Sequence, residues 1–235
     1  MSKQLDNQEQ ITQWFNSTYT KRGFWYLRPI KAYSIFLELL EAKPDQKLLD
    51  IACGLGRLLE ASQDYKVKPF GIDISDVAIS KAKERFPDFN LSVANAESLP
   101  FDDNAFDLIT CIGSLERIVN TQNALKEMLR VGNRHSKYCF LVRNSETTSW
   151  QIFKTLLGMK NEKGHQDAKN LKEWTSIFET AGFDVLNVYP DQYPLMKKAR
   201  RKYIWLKKVN YKHVVKSHEP IEKANEFLFI LKKHD

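Results

Sequence analysis

Two acidic residues and two glycines carry the most legible chemistry in the chain. Asp50 opens the run Asp50-Ile-Ala-Cys-Gly-Leu-Gly56, and Arg57-Leu-Leu-Glu-Ala, a competent helix start, follows at once. Glycines in such a turn let a ligand approach the backbone closely, and the helix start presents unpaired N–H groups to it. Asp73 closes Gly71-Ile-Asp73, nineteen residues after Gly54. An acid at that spacing accepts hydrogen bonds from both hydroxyls of a ribose. A nucleoside-containing cofactor is the reading that unites these positions. The dinucleotide fingerprint G-x-G-x-x-G is not met, because Leu59 stands three residues after Gly56 and Ala52 stands where a first glycine would be.

Such residues need a frame, and the hydrophobic pattern supplies one. Short apolar runs read as strands at Lys47–Cys53, Val67–Ile74, Leu91–Ala94, Phe106–Ile112, Lys137–Val142, Phe183–Tyr189 and Glu226–Leu231. Pro69 weakens the first half of the second run. Helical spacing fills the gaps at Ile30–Leu40, Val77–Phe86, Ala124–Val131 and Leu171–Ala181, with Ser75 placed as an N-cap and Gly182 as a C-cap. Strands separated by helices of about ten residues predict an α/β fold, a doubly wound, mostly parallel seven-stranded sheet. We expect an N-terminal helical extension over 1–42. The main domain then spans 43–235, with a basic C-terminal insertion at about 194–217.

Composition fits one soluble globular protein of 235 residues, with 43% apolar and 28% charged residues. No stretch approaches the ~18 apolar residues of a membrane span. The polar start MSKQLDNQEQ lacks the apolar core of a signal peptide. Cys53, Cys111 and Cys139 are odd in number and widely spaced, which suits a reducing cytoplasm and argues against a disulfide framework or zinc cluster. The net charge of +7 is localised: residues 190–235 hold 12 Lys/Arg and 5 Asp/Glu, and Met196–Lys216 has nine Lys/Arg and no acid. One basic segment on a neutral body points to a local anionic partner.

The A-x-G-x-G spacing behind Asp50 resembles the first motif of class I S-adenosylmethionine-dependent methyltransferases. Ala94-Asn-Ala-Glu-Ser-Leu-Pro-Phe-Asp-Asp-Asn-Ala-Phe-Asp107, running into Leu108–Glu116, is similar to that family's stretch before and through its fourth strand. Glu127–Val131 and Lys137–Arg143 resemble the element after it, so the likeness spans residues 47–143 in order. The resemblance implies a Rossmann-like methyltransferase fold with S-adenosyl-L-methionine as cofactor. It implies Asp50, Ala52, Gly54 and Gly56 at the methionine end, and Asp73 on the ribose with Ile74 packed on the adenine. Asn95 and Ala96 would meet the adenine edge, and Ile112 and Gly113 would flank the sulfonium. Three departures stand out: Ala52 for a first glycine, Asn95 for the common Asp, and Arg117 where relatives often carry His.

Methyl transfer is an in-line displacement, so positioning supplies most of the catalysis and a base is needed only if the acceptor must lose a proton. The catalytic candidates are Glu116 and Arg117 after the fourth strand, and His165 with Asp167 before the sixth-strand helix. The tracts Arg143–Ser145 and Asp191–Tyr193 also end strands on that side. No metal is expected, since His165 and Asp167 lack a third ligand. The aromatic-rich N-terminal extension reads as a lid, with Tyr19 and Arg28 as partners for the cofactor carboxylate. Arg matches that fork bidentately.

The expected activity is therefore methyl transfer to a small-molecule acceptor, anionic or lipid-linked. The basic 196–216 segment admits a peripheral contact with an anionic membrane or lipid. An RNA or other nucleic-acid acceptor gripped by that segment is the alternative. The N-P-P-Y and paired-cysteine motifs of many such enzymes are absent. A non-catalytic S-adenosylmethionine-binding protein is the third reading.

Overall fold

β1 (Lys47–Ile51) and β4 (Phe106–Ile112) are buried on both faces, and their near-continuous apolar sequences are what a central parallel strand requires. The computed structural model describes residues 8–23, 27–147, 167–191 and 220–234. Around those two strands lie β2 (Lys68–Asp73), β3 (Asn90–Val93), β5 (Gly132–Arg143), β6 (Phe183–Asp191) and β7 (Glu226–Lys233), in the order β3-β2-β1-β4-β5-β7-β6. β1 to β5 pair in parallel, while β7 runs antiparallel between β5 and β6. The expected seven-stranded, mostly parallel sheet is present, mixed at one side. Successive connections leave β1 in opposite directions, first towards β2 and β3 and then back to β4. That reversal opens a crevice at the carboxyl ends of β1 and β4, where α/β sheets bind ligands.

Six α-helices pack around the sheet among the described residues: α1 (Gln8–Arg22), α2 (Ser34–Leu39), α3 (Arg57–Ser62), α4 (Asp76–Arg85), α5 (Thr121–Val131) and α6 (Leu171–Ala181). One core layer joins Leu125 and Met128 of α5 to Trp174 and Phe178 of α6. The other joins Phe36 and Leu37 of α2 to Leu58, Leu59, Ile79 and Ala82 of α3 and α4. The helical spacing over Ile30–Leu40 resolves into a 3-10 turn at Ile30–Ala32 and the short α2, and neither start has a side-chain cap. Pro69 does lie within β2, opposite Leu48 of β1. Pairing with β3 begins one residue later at Phe70, so the proline occupies a stretch that is still an edge.

Ser75 and Gly182 do what their types predict. The Ala78 N–H donates to Ser75 Oγ at 3.1 Å, and Gly182 ends α6 in the left-handed region at φ 102. Ser75 Oγ also donates to Asn16 Oδ1 at 2.5 Å, Asn16 Nδ2 donates to Asp76 Oδ1 at 2.6 Å, and Lys81 Nζ donates to the Tyr19 carbonyl at 2.9 Å. These contacts fasten α1 across the start of α4, beside the crevice. Ser75→Ala removes one cap and one α1 anchor together. We expect a loss of about 1 kcal/mol, read as a lower urea midpoint at unchanged m-value.

Candidate active site

The turn after β1 is held open by backbone conformation. Ala52 (φ 55), Gly54 (φ 54) and Gly56 (φ 75) all lie in the left-handed region, and Gly56 leads directly into α3. The Cys53 N–H donates to the Ile72 carbonyl at 2.8 Å, which ties the turn to β2. A Cβ added at Gly54 would stand 2.7 Å from Tyr19 Oη. Glycine is therefore required there twice over, by φ and by the approach of α1.

Asp73 is 4% exposed. Its Oδ2 accepts from the Gly54 N–H at 2.8 Å and its Oδ1 from the Ser75 N–H at 2.9 Å. Burial pushes its pKa up to about 6, against those backbone bonds that favour the charge. Asp50 is buried beside it and accepts from Thr110 Oγ1 at 2.7 Å; burial pushes its pKa up to about 7, with a smaller push from the charge of Asp73. The thiols of Cys53 and Cys111 are driven well above their ordinary value by burial, so they pack rather than attack.

Two adjoining cavities meet here. The smaller, about 60 Å³, lies over the ends of β2 and β3 and is lined by Asp73, Ile74, Asn95 and Ala96, with Gln8, Ile11 and Phe15 of α1 opposite them. The larger, about 330 Å³, is lined by Asp50, Ala52, Gly54, Ile112 and Gly113, with Trp14, Phe15 and Tyr33 around them. Phe15, Tyr19, Ala52, Ser114 and Arg117 belong to both walls. The fit to a nucleoside is physical. A buried carboxylate faces a narrow apolar slot, and the adjacent loop has no side chain at the one place where it would collide with α1.

The other expected residues distribute unevenly. Gly56 starts α3 and lies outside both linings, so its role is to turn the chain. The Asn95 Oδ1 accepts from the Glu97 N–H at 3.0 Å, which leaves its amide group for a ligand. Arg28 also lies outside both linings, because two carboxylates engage its guanidinium: Asp191 at 2.5 Å and Glu226 at 2.7 Å. Arg117 sits 5.7 Å from the ring centre of Trp14 and 5.9 Å from that of Phe15, with its pKa lowered by burial. Glu116 is 1% exposed, outside both linings, and its Oε2 has no hydrogen-bond partner among the described residues. The carboxylate of Asp167 pairs with Lys169 at 2.7 Å, and its N–H donates to the Glu116 carbonyl at 2.8 Å. His165, the 196–216 segment, Trp25 and Tyr193 fall outside the described residues. Arg22 and Arg57 line the larger cavity although their sequence positions gave no sign of it beyond Arg57 following the glycine turn.

Residues 49–140 match the family model described as a methyltransferase domain. Over that stretch the chain is similar to a methyltransferase domain. A demethylmenaquinone methyltransferase of Paenarthrobacter aurescens is 37% identical over 97 residues, which are 41% of this chain and 38% of that protein. The ubiquinone/menaquinone biosynthesis C-methyltransferase UbiE of Campylobacter jejuni is 30% identical over 147 residues, 54% of this chain and 60% of that one. The chain thus spans about two fifths to three fifths of the length of these curated relatives. A solved S-adenosylmethionine-dependent methyltransferase from Thermotoga maritima superposes on 95% of this chain and 99% of its own, with TM-score 0.64 at 17% identity. That likeness establishes the fold; the reaction has to be argued from the site.

Among the described residues no helix is long and apolar enough to cross a membrane, and no group of three or more His, Cys, Asp or Glu is placed to hold a metal ion. The Gly54–Tyr19 approach is testable alone. Gly54→Ala should cost about 1–3 kcal/mol of stability through its strained φ plus the clash. Adding Tyr19→Phe should recover the clash component but not the strain, a non-additivity visible in a denaturant double-mutant cycle.

Proposed function

We propose that this chain transfers the methyl group of S-adenosylmethionine to a small-molecule acceptor. The Asp73 carboxylate carries the reading: it ends β2, is fixed by two backbone donors and faces the smaller cavity. It would accept both ribose hydroxyls through its remaining lone pairs. Ile74 would pack on the adenine, with Asn95 and Ala96 at its edge. The open backbone of Ala52 and Gly54, beside Asp50, would take the amino-acid end. Ile112 and Gly113 would border the reacting centre where the two cavities join. Bound there, the cofactor supplies a methyl group activated by its sulfonium.

The chain's own part is orientation and exclusion of water. α1 lays Phe15 and Tyr19 against both cavities, which removes solvent from the point where an acceptor would meet the methyl. Of the catalytic candidates among the described residues, Arg117 is the one that lines the cavities, so it is assigned to the acceptor. The buried Glu116 is assigned to supporting that turn. The quinone methyltransferases among its relatives make a ring-bearing acceptor the first class to try. Buried free cysteines suit work in a reducing cytoplasm.

Calorimetric titration with S-adenosylmethionine and S-adenosylhomocysteine tests the reading, and absence of binding by both overturns it. Asp73→Ala should weaken S-adenosylhomocysteine by about 1.5–3 kcal/mol, the worth of hydrogen bonds to a charged group. An unchanged dissociation constant removes Asp73 from the role. The sign of the pH dependence follows from the raised pKa. The ionised form binds, so affinity should hold above pH 7 and fall below about 6 as Asp73 takes up a proton. The Asp73→Asn variant should lose that step and keep only what Asp50, with its pKa pushed up to about 7, contributes.

A further inference from the structure

The wall of the smaller cavity that carries Asn95 and Ala96 belongs to no strand. β3 ends at Val93, and the chain runs on through 94–105 to β4, with the Ala94 N–H donating to the Asp73 carbonyl at 3.1 Å. Beyond that point α5 and its N-cap hold the loop at alternate residues. Glu97 Oε1 accepts from the Asn120 N–H at 3.0 Å, and the Leu99 N–H donates to Glu127 Oε2 at 2.7 Å. Arg130 Nη2 donates to the Leu99 carbonyl at 3.0 Å, and Nη1 donates to the Phe101 carbonyl at 2.8 Å and to Asp103 Oδ1 at 2.7 Å. Its remaining donors grip Glu127 one helical turn away, Nε to Oε1 at 2.7 Å and Nη2 to Oε2 at 2.8 Å. Every guanidinium N–H is thereby engaged, and the Asn104 N–H closes on the Arg130 carbonyl at 2.9 Å.

Arg130 and Glu127 line neither cavity. Their side chains are 32% and 21% exposed, so the ion pair as such adds little stability. Its worth lies in geometry, because a planar group with every donor committed fixes the Leu99 and Phe101 carbonyls in one place relative to α5. Without that group the two carbonyls turn to water. The side chains of Leu99 and Ala96 stay anchored in the core, so the loop shifts instead of unfolding. Leu99 stands three residues from Ala96, and among the described residues the Ala96 N–H has no protein partner. A backbone donor set against the N1 edge of a purine suits adenine, whose N1 accepts a hydrogen bond. Hypoxanthine carries a hydrogen on N1 and is repelled by the same donor. Resting on the methyl-transfer reading above, we propose that Glu127 and Arg130 are positioning residues. They set the Ala96 N–H against the base and so select adenine over a 6-oxo purine in the cofactor.

The test titrates the full chain calorimetrically with S-adenosylhomocysteine and with S-inosylhomocysteine, which differ only at the base. The unaltered chain should bind the adenosine form about ten-fold or more tightly, since a donor left facing another donor is penalised. Arg130→Met should erase that preference by weakening the adenosine form, leaving the inosine form within about two-fold of its original affinity. Arg130→Lys should keep part of it, because an ammonium still pairs with Glu127 but cannot reach Leu99, Phe101 and Asp103 together. Asp73→Ala is the contrast, expected to weaken both ligands alike because both carry the ribose. A role confined to stability would weaken both ligands in parallel in Arg130→Met, or neither, and either result overturns the inference. Should Arg130→Met not fold, Glu127→Gln carries the comparison, and an undiminished preference there overturns the inference as well. Equal binding of the two ligands by the unaltered chain overturns it without any variant. Failure of both ligands to bind fells the methyl-transfer reading and this one with it, whereas binding without base preference fells this one alone.

Discussion

The arrangement depends on keeping two carboxylates out of water at the carboxyl edge of adjacent strands. Asp50 and Asp73 are each buried, and burial alone would neutralise them. Asp73 keeps its affinity for charge because the Gly54 and Ser75 N–H groups point at it. The Gly54 donor is available only because the turn runs through left-handed conformations. The glycine turn thus serves the acid as much as it serves a ligand. A substitution that straightened the turn would withdraw a donor from a buried charge, so the site and the local stability of the β1–β2 edge are coupled.

The second constraint is the placement of α1. Its contacts with Ser75, Asp76 and Lys81 are polar and few, while its inner side supplies walls to both cavities. A further fastening comes from Arg28, six residues after the end of α1, through its buried pairing with Asp191 and Glu226. An ion cluster of this kind adds little net stability when complete but is costly when one member is removed. It sets where the N-terminal segment crosses the sheet, and through Glu226 it also touches Arg143 at the rim of the larger cavity.

Much of this was readable in the chain. Strand positions followed from apolar runs too short for helices, and the glycine turn with Asp73 at its spacing pointed to the crevice at the ends of β1 and β2. Ser75 and Gly182 announced their caps by residue type. What the chain concealed is long-range. Arg22, Arg57, Arg117 and Arg143 are spread over about half of the sequence, and only the strand order gathers them around one cavity. Arg28 looks like a ligand-binding arginine until Asp191 and Glu226 are brought beside it. Pro69 looks like a strand breaker until β3 is seen to start pairing one residue later.

The position of β7 gives the chain a particular order of assembly. β6 pairs with β7 alone among the described strands, and β7 must slide antiparallel between β6 and β5. During synthesis β5 and β6 therefore emerge with open edges and wait for residues 226–233, a non-local closure of the slow and aggregation-exposed kind. Glu226, the acid shared by Arg28 and Arg143, is the first residue of that strand. The rim of the larger cavity is thus finished in the same step that closes the sheet, so a nascent chain truncated before β7 has its smaller cavity framed but the rim at Arg143 unset.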